Sequence, residues 1–133
     1  MAEKPSPAVN VESKPYWDAC REHKLLLQRT RDGKHFHYPR KFAPGTLSTD
    51  WEWVEASGEG TIYSYTIAAR GAGPAFAPEA PYVIAIIELK EGCRMLSNIV
   101  TKDVTGVKVG QKVKVVWDKL NDEITLPKFE VVA

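Results

Sequence analysis

The histidines and cysteines of this chain are the residues from which chemistry could be built. His35 and His37 form a His-X-His pair, and alternate residues of a strand point to one face, so the two imidazoles could chelate a metal. His23 and Asp32 are close in sequence. A structural metal site needs four ligands, however, and the pair supplies only two. We therefore predict surface histidines here and no metal site.

A catalytic constellation is hard to assemble from the same residues. The chain has no nucleophile elbow, no HExxH, no Walker motif and no Gly-rich dinucleotide motif. His23 and Cys20 are neighbours at helical spacing, but spacing alone does not make a Cys–His pair. Cys20 and Cys93 are far apart within apolar patterns, which favours two buried, reduced thiols over a disulfide. We predict no catalytic residue.

Composition narrows the class of protein. The chain has 133 residues, of which 44% are hydrophobic and 26% charged, with a net charge of +1. This is an ordinary globular composition, and the near-neutral charge argues against nucleic acid and membrane surfaces as partners. No apolar run reaches the roughly 18–20 residues of a membrane span, and the N-terminus lacks the apolar core of a signal peptide. We predict a cytoplasmic protein.

The first half of the chain predicts a small appendage. Residues 1–13 are rich in Pro, Ser and Glu and are predicted to form a mobile arm. Ser13 offers an N-cap for a short amphipathic helix at 15–23. Turns around residues 32–33 and 43–46 each follow a short extended piece, so residues 14–50 are predicted to combine the helix with a ribbon of two hairpins. Such a ribbon cannot bury enough apolar surface to fold alone, so it needs a metal, the following domain or a partner.

The second half, residues 51–133, is predicted to be all β. Five strands are expected, at 61–69, 82–89, 93–101, 112–117 and 124–132. Residues 82–89 are almost continuously apolar, which predicts a strand buried on both faces, and Pro127 predicts an edge or a bulge. The fold class is therefore mainly β, with a five-stranded Greek-key barrel of the oligonucleotide/oligosaccharide-binding (OB) type. An open five-stranded sandwich is the alternative.

Several segments together resemble a known family. They are YPR at 38–40, STDWEWV at 48–54, GEGTIYSY at 58–65, PYVIAIIELKEGCRMLSNIV at 81–100, GQKV at 110–113 and LPKF at 126–129. This set resembles the acyl-CoA-associated family that pairs a rubredoxin-like zinc ribbon with an OB fold. The resemblance implies an accessory subunit of a hetero-oligomer, bound to a thiolase-like enzyme or to a related acyltransferase, hydratase or aldolase. It also implies a CoA thioester as a ligand shared within the complex, with no covalently bound cofactor.

The chain departs from that family at the metal. The family pattern carries a CxxC pair on each side of the Pro-Arg bend. Here Thr30 stands at the first position, a deletion before Gly33 removes the second, and Ala43 and Thr46 stand at the last two. Tetrahedral thiolate coordination is therefore not available. We predict a degenerate, metal-free ribbon that is held by packing.

Candidate contacts for CoA or the partner follow from the chemistry of a CoA thioester. The nucleotide end is anionic, and the pantetheine arm suits a groove with apolar walls. The Gly/Ala/Pro loop at 71–81 is the favoured contact segment, because long loops that carry an aromatic often bind partners. Solvated charge and plain packing are the alternative roles. The candidates are Arg40, Lys41, Arg70 and Lys128 as cations, and Trp51, Trp53 and Phe76 as apolar surfaces.

A binding module of another class is the rival hypothesis. OB barrels also bind single-stranded nucleic acid through aromatics and basic grooves, and Tyr63, Tyr65, Trp117, Lys112 and Lys114 could serve in this way. The near-neutral charge argues against it, because such modules usually carry a basic stripe.

Overall fold

A single short helix precedes the strands. The computed structural model describes residues 3–132; residues 1 and 2 of the predicted arm and residue 133 of the predicted barrel domain lie outside the described part. Helix α1 spans Lys14–Arg21, close to the predicted helix, with Pro15 in its first turn, where a missing N–H costs no hydrogen bond. Its buried face consists of Tyr16, Ala19 and Cys20. No helix among residues 3–132 is long and apolar enough to cross a bilayer.

A three-stranded antiparallel sheet follows the helix. Its strands are β1 (Leu26–Thr30), β2 (His35–Phe36) and β3 (Trp51–Glu55), in the order β2-β1-β3. The predicted turn around residues 32–33 joins β1 to β2. Sequence reasoning grouped residues 51–55 with the barrel, whereas β3 pairs along its whole length with β1. Strand β3 is the third strand of this sheet. A two-stranded hairpin alone is only marginally stable, so the third strand stabilises the ribbon.

The remaining strands form a closed five-stranded barrel. They are β4 (Glu59–Ala68), β5 (Tyr82–Leu89), β6 (Arg94–Ile99), β7 (Lys112–Lys119) and β8 (Thr125–Val131). Short 3₁₀ helices lie at Ala77–Glu79 and Val104–Gly106. The strand order is β4-β5-β6-β8-β7, closed by β7 on β4. Because β8 lies between β6 and β7, the barrel has the Greek-key topology of the OB fold. The predicted fold class is confirmed, and the open sandwich is wrong.

Strand β5 corrects one prediction about burial. Val83, Ala85, Ile87 and Leu89 are buried, whereas Ile86 between them is exposed and Ile84 is half-buried. The strand therefore buries one face in the barrel core, and its other apolar face lies at the surface. The apolar run was predicted to be buried on both faces. The burial of one face alone is normal for antiparallel sheets, but such a sheet usually carries polar residues outside.

The barrel closes at a narrow seam between β6 and β8. These strands are parallel and share one bridge, Ile99 with Phe129, where Val100 N–H donates to Phe129 O at 2.8 Å. Backbone groups two residues apart point to the same side of a strand, so Pro127 also faces β6. Proline has no N–H to donate, and the Ser97 hydroxyl donates to the Pro127 carbonyl at 2.8 Å instead. Pro127 is thus one reason why the seam is short.

Candidate functional site

A surface groove lies beside this seam, on the outer face of β5 and β6. We call it the seam groove; its volume is about 490 Å³. The loop between β4 and β5 forms one wall, and β8 forms the other. This is the face of an OB barrel that commonly receives ligands. Its lining is predominantly apolar and includes Phe76, Pro81, Tyr82, Ile84, Leu96, Val100, Val104 and Leu126, with Ser97, Asn98, Thr101 and Lys128 among the polar members.

The β4–β5 loop holds Phe76 at the groove. Phe76 N–H donates to Gly73 O at 3.1 Å, and its ring lies 6.4 Å from that of Tyr82. Ala72 N–H donates to the Tyr82 hydroxyl at 3.1 Å, which fastens the loop to the start of β5. Gly71 has a φ of +79°, and a Cβ there would lie 3.0 Å from the Phe76 carbonyl, so only glycine fits comfortably. The predicted contact loop is therefore an ordered turn with its aromatic at the groove.

The charges at the groove are matched within the protein. Lys128 Nζ lies 2.6 Å from Asp118 Oδ2, and the lysine side chain is only 16% exposed. Asn98 Nδ2 donates to Val83 O at 2.9 Å. A neutralised lysine attracts an anion less than a free one does, so the groove suits the uncharged part of a ligand or an apolar side chain of a partner.

A second, smaller cavity of about 270 Å³ joins the groove to the ribbon. It shares Leu96, Ser97 and Leu126 with the groove and adds Tyr38 from the ribbon. Leu96 N–H donates to the Tyr38 hydroxyl at 3.2 Å, so the ribbon caps a β6 backbone group beside the seam. Tyr38 has a φ of 66°, a region that bulky residues rarely adopt.

Arg40 holds the strained bend at Tyr38 in place. Its Nε donates to Tyr38 O at 3.0 Å and its Nη2 donates to His37 O at 2.8 Å. Its guanidinium carbon also lies 5.7 Å from the centre of the Phe36 ring. The guanidinium, which the sequence offers as a contact for CoA or the partner, therefore makes two hydrogen bonds within its own chain.

The other ribbon candidates form an aromatic cluster of their own. Trp51 Nε1 donates to Lys41 O at 2.6 Å, and the Trp51 ring packs edge-on against Phe36 and Trp53. Trp53 packs against the buried core, and Lys41 Nζ lies 5.6 Å from the centre of the exposed Phe42 ring. The structure thus brings Phe76 and Lys128 together at the groove and gathers Lys41, Trp51 and Trp53 at the ribbon. Arg70 is exposed in the β4–β5 loop, outside the groove lining.

A glutamine occupies the heart of the ribbon. Gln28 is 1% exposed; its Nε2 donates to Arg40 O at 2.6 Å, and its Oε1 accepts from Arg40 N–H at 3.0 Å. We call this reciprocal pair the Gln28 clasp. It joins β1 to the segment that returns towards β3, as a pair of ladder hydrogen bonds would. Buried polar groups require such partners.

The residues present do not fit the zinc of the family pattern. Ala43, buried at 3% exposure, has no donor side chain. The Thr46 hydroxyl donates to Ala43 O at 3.1 Å, and the Thr30 hydroxyl accepts from Lys34 N–H at 3.1 Å. Among residues 3–132, no group of three or more His, Cys, Asp or Glu side chains could hold a metal ion. His35 and His37 do not form a metal site either. The sequence predicted surface histidines, but both are half-buried, and His37 packs against Tyr16 and Tyr38.

The thiols show no sign of activation. Cys20 is fully buried and Cys93 half-buried, and both are free. Burial raises the pKa of the Cys20 thiol to about 12 and that of Cys93 to about 11. Burial also raises the pKa of the neighbouring Tyr16 above its usual range. These groups are protonated near neutral pH, and a protonated thiol is a poor nucleophile.

His37 makes the ribbon sensitive to acid. Burial, assisted by the Arg40 guanidinium, lowers the pKa of its imidazole from 6.5 to about 4. Between these values the unfolded chain binds a proton that the folded chain rejects, so the stabilising contribution is complete above pH 6.5 and is lost towards pH 4. We expect wild type to lose about 3 kcal/mol more than His37→Phe between pH 7 and pH 4. Urea titrations at several pH values measure this, and parallel pH profiles would contradict it.

Sequence reasoning missed most of the groove. Ile84, Leu96, Val100 and Leu126 were assigned to strands or links without any surface role. The available signal was the apolar run at 82–89, which has nearly twice the apolar residues that a strand buried on one face needs. Once one of its faces is known to lie at the surface, the surplus indicates a binding surface.

Comparisons with known proteins agree with this geometry. The family model described as "ChsH2, C-terminal OB-fold domain" matches residues 53–118. The chain is 37% identical over 127 residues to a probable enoyl-CoA hydratase alpha subunit of Thermomonospora curvata, covering 95% of this chain and 39% of that protein. It is 31% identical over 111 residues to the 3-oxo-4,17-pregnadiene-20-carboxyl-CoA hydratase alpha subunit of Mycobacterium tuberculosis, covering 84% and 35%. The chain thus spans well under half of these relatives.

Solved structures match over most of both chains. A chain of the "Ltp2-ChsH2(DUF35) aldolase" superposes with a TM-score of 0.85 at 35% identity, covering 96% of this chain and 100% of that one. A DUF35 protein of unknown function from Sulfolobus solfataricus gives a TM-score of 0.65 at 20% identity, covering 93% and 87%, which shows the shared fold alone. Fold and site together define an OB-fold protein with an N-terminal ribbon. The chain belongs to the ChsH2 OB-fold (DUF35) family, and the resemblance drawn from its sequence is confirmed.

Proposed function

We propose that this protein is an accessory OB-fold subunit of a complex that processes acyl-CoA thioesters. The observation that carries the proposal is the full-length match to a chain of the Ltp2-ChsH2(DUF35) aldolase. Two relatives named as hydratase alpha subunits support it. The partner in this proposal is a cytoplasmic acyl-CoA enzyme of the thiolase-like, hydratase or aldolase type, and the CoA thioester is held between the two subunits.

The geometry fits a supporting subunit better than an independent enzyme. The thiols are protonated, and His37 packs between aromatic rings. The seam groove, by contrast, presents apolar surface next to an ordered aromatic loop. Apolar surface of this kind on a small protein marks a place where a partner or ligand binds. We propose Phe76 and Lys128 as contacts at the groove, and Lys41, Trp51 and the neighbouring Arg40 as a second contact face on the ribbon.

Single-stranded nucleic acid is disfavoured as the ligand, because the aromatics it would need are already occupied. Arg94 lies 3.7 Å from the centre of the Tyr63 ring, Tyr65 packs against the core, and Trp117 stacks on His23 at 5.4 Å. Base stacking requires open aromatic faces.

Affinity purification of the tagged chain from its native host tests the proposal. We expect an acyl-CoA enzyme to co-purify in a fixed ratio and to lose activity or stability when the tagged chain is removed. Recovery of the chain bound only to nucleic acid would contradict the proposal. So would robust turnover of a CoA thioester by the purified chain alone.

A further inference from the structure

The N-terminal arm contacts the β4–β5 loop at one wall of the seam groove and the turn that leads into β8, the other wall. Lys4 lines the groove, and its Nζ lies 2.7 Å from Glu79 Oε1 in the β4–β5 loop. Two residues later, the Ser6 hydroxyl accepts from Asn121 Nδ2 at 3.2 Å. Asn121 begins the turn that leads into β8, which is the opposite wall. Residues 4–6 are therefore fastened to the β4–β5 loop at one end and to the turn before β8 at the other.

The anchors of this arm are weak enough to release. The Lys4 and Glu79 side chains are 28% and 45% exposed, and ion pairs with this much exposure contribute little and are screened by salt. The contact between Ser6 and Asn121 is exposed. The arm has no regular secondary structure. Pro5 and Pro7 restrict its backbone, so less conformational entropy is lost when the arm binds to the barrel surface.

We propose that residues 4–6 act as a strap at the seam groove, and that docking of the partner subunit at the groove displaces this strap. The free chain then covers part of its own apolar surface, and the complex exposes that surface to the partner. Association must first release the strap. The apparent affinity for the partner is therefore the intrinsic affinity multiplied by the fraction of molecules in which the strap is open. The displacement step rests on the proposed function, whereas the strap itself does not.

Charge exchange between Lys4 and Glu79 tests the strap on the full-length chain. The single variants Lys4→Glu and Glu79→Lys each place like charges opposite one another, and the double variant restores opposite charges. The neutral apolar dye Nile red reports open groove. We expect several-fold stronger dye binding by each single variant at low salt, and a return to the wild-type level in the double variant. Lys108→Glu, an exposed lysine outside the groove lining, should match wild type.

Two results would overturn the strap: single variants that bind dye like wild type, or a double variant that stays as open as the singles. Displacement is tested next, with the co-purified partner enzyme. The opened single variants should associate with it several-fold faster than wild type, and unchanged or slower association would overturn displacement. Chains that pass the dye test but bind no acyl-CoA enzyme would instead refute the proposed function and leave the strap intact.

Discussion

Replacing Gln28 with alanine is expected to lower the free energy of unfolding by about 3 kcal/mol. The change removes both hydrogen bonds of the Gln28 clasp and leaves Arg40 N–H and C=O without partners beside a fully buried position. It also leaves a cavity next to β1. Urea unfolding followed by tryptophan fluorescence measures the loss. Hydrogen exchange should show that protection falls first over β1, β2 and β3.

Gln111→Ala is the matched control for this experiment. Gln111 also makes two hydrogen bonds to backbone groups, accepting from Lys108 N–H at 2.8 Å and donating to Gly106 O at 3.1 Å, but both are exposed. Water can replace exposed bonds, so the same truncation should cost less than about 1 kcal/mol. Equal losses in the two variants would show that the clasp does not hold the ribbon.

Truncation of Phe76 is expected to have the largest effect on the complex. Phe76→Ala removes the aromatic that the β4–β5 loop presents at the seam groove, and aromatic anchors of interfaces often contribute about 2 kcal/mol or more. The dissociation constant for the partner enzyme should rise about 30-fold, while the fold is retained because the side chain is only half-buried. Surface plasmon resonance with the co-purified partner measures the affinity, and circular dichroism reports the fold.

Val109→Ala provides the comparison for Phe76→Ala. Val109 is 63% exposed and belongs to the link before β7, outside the groove lining. Its truncation should leave affinity unchanged. An unchanged dissociation constant for Phe76→Ala as well would remove the loop from the interface.

The fold was predictable because its signals are local. The apolar run at 82–89 and the Glu91–Gly92 turn place β5 and β6 almost exactly, and Pro15 marks the start of α1. Residues 51–55 were grouped with the barrel, whereas in the structure β3 pairs with β1. A strand rich in tryptophan fits either sheet, and only tertiary pairing with β1 decides between them.

The site was predictable only in part. Phe76 was found because a Gly- and Pro-rich loop with an aromatic is itself a local signal. The role of Gln28 was not predicted, because nothing near it in the sequence shows that the Arg40 N–H and C=O would face the glutamine amide. The internal pairing of Arg40 and of Lys128 was invisible for the same reason. Such partners come together only after the chain has folded.

The narrow seam gives this barrel a mechanical property. The β4–β5–β6 sheet and the β7–β8 hairpin are two stiff leaves, joined on one side by three residue pairs between β4 and β7 and on the other by the single bridge between Ile99 and Phe129. Breaking that bridge removes fewer backbone hydrogen bonds than unzipping an antiparallel ladder, so the buried side chains of Ile99 and Phe129 carry much of the contact at the seam. We therefore expect the β4–β5–β6 sheet and the β7–β8 hairpin to move relative to each other at the seam. Such movement would change the width of the seam groove and let it accept ligands or side chains of different size.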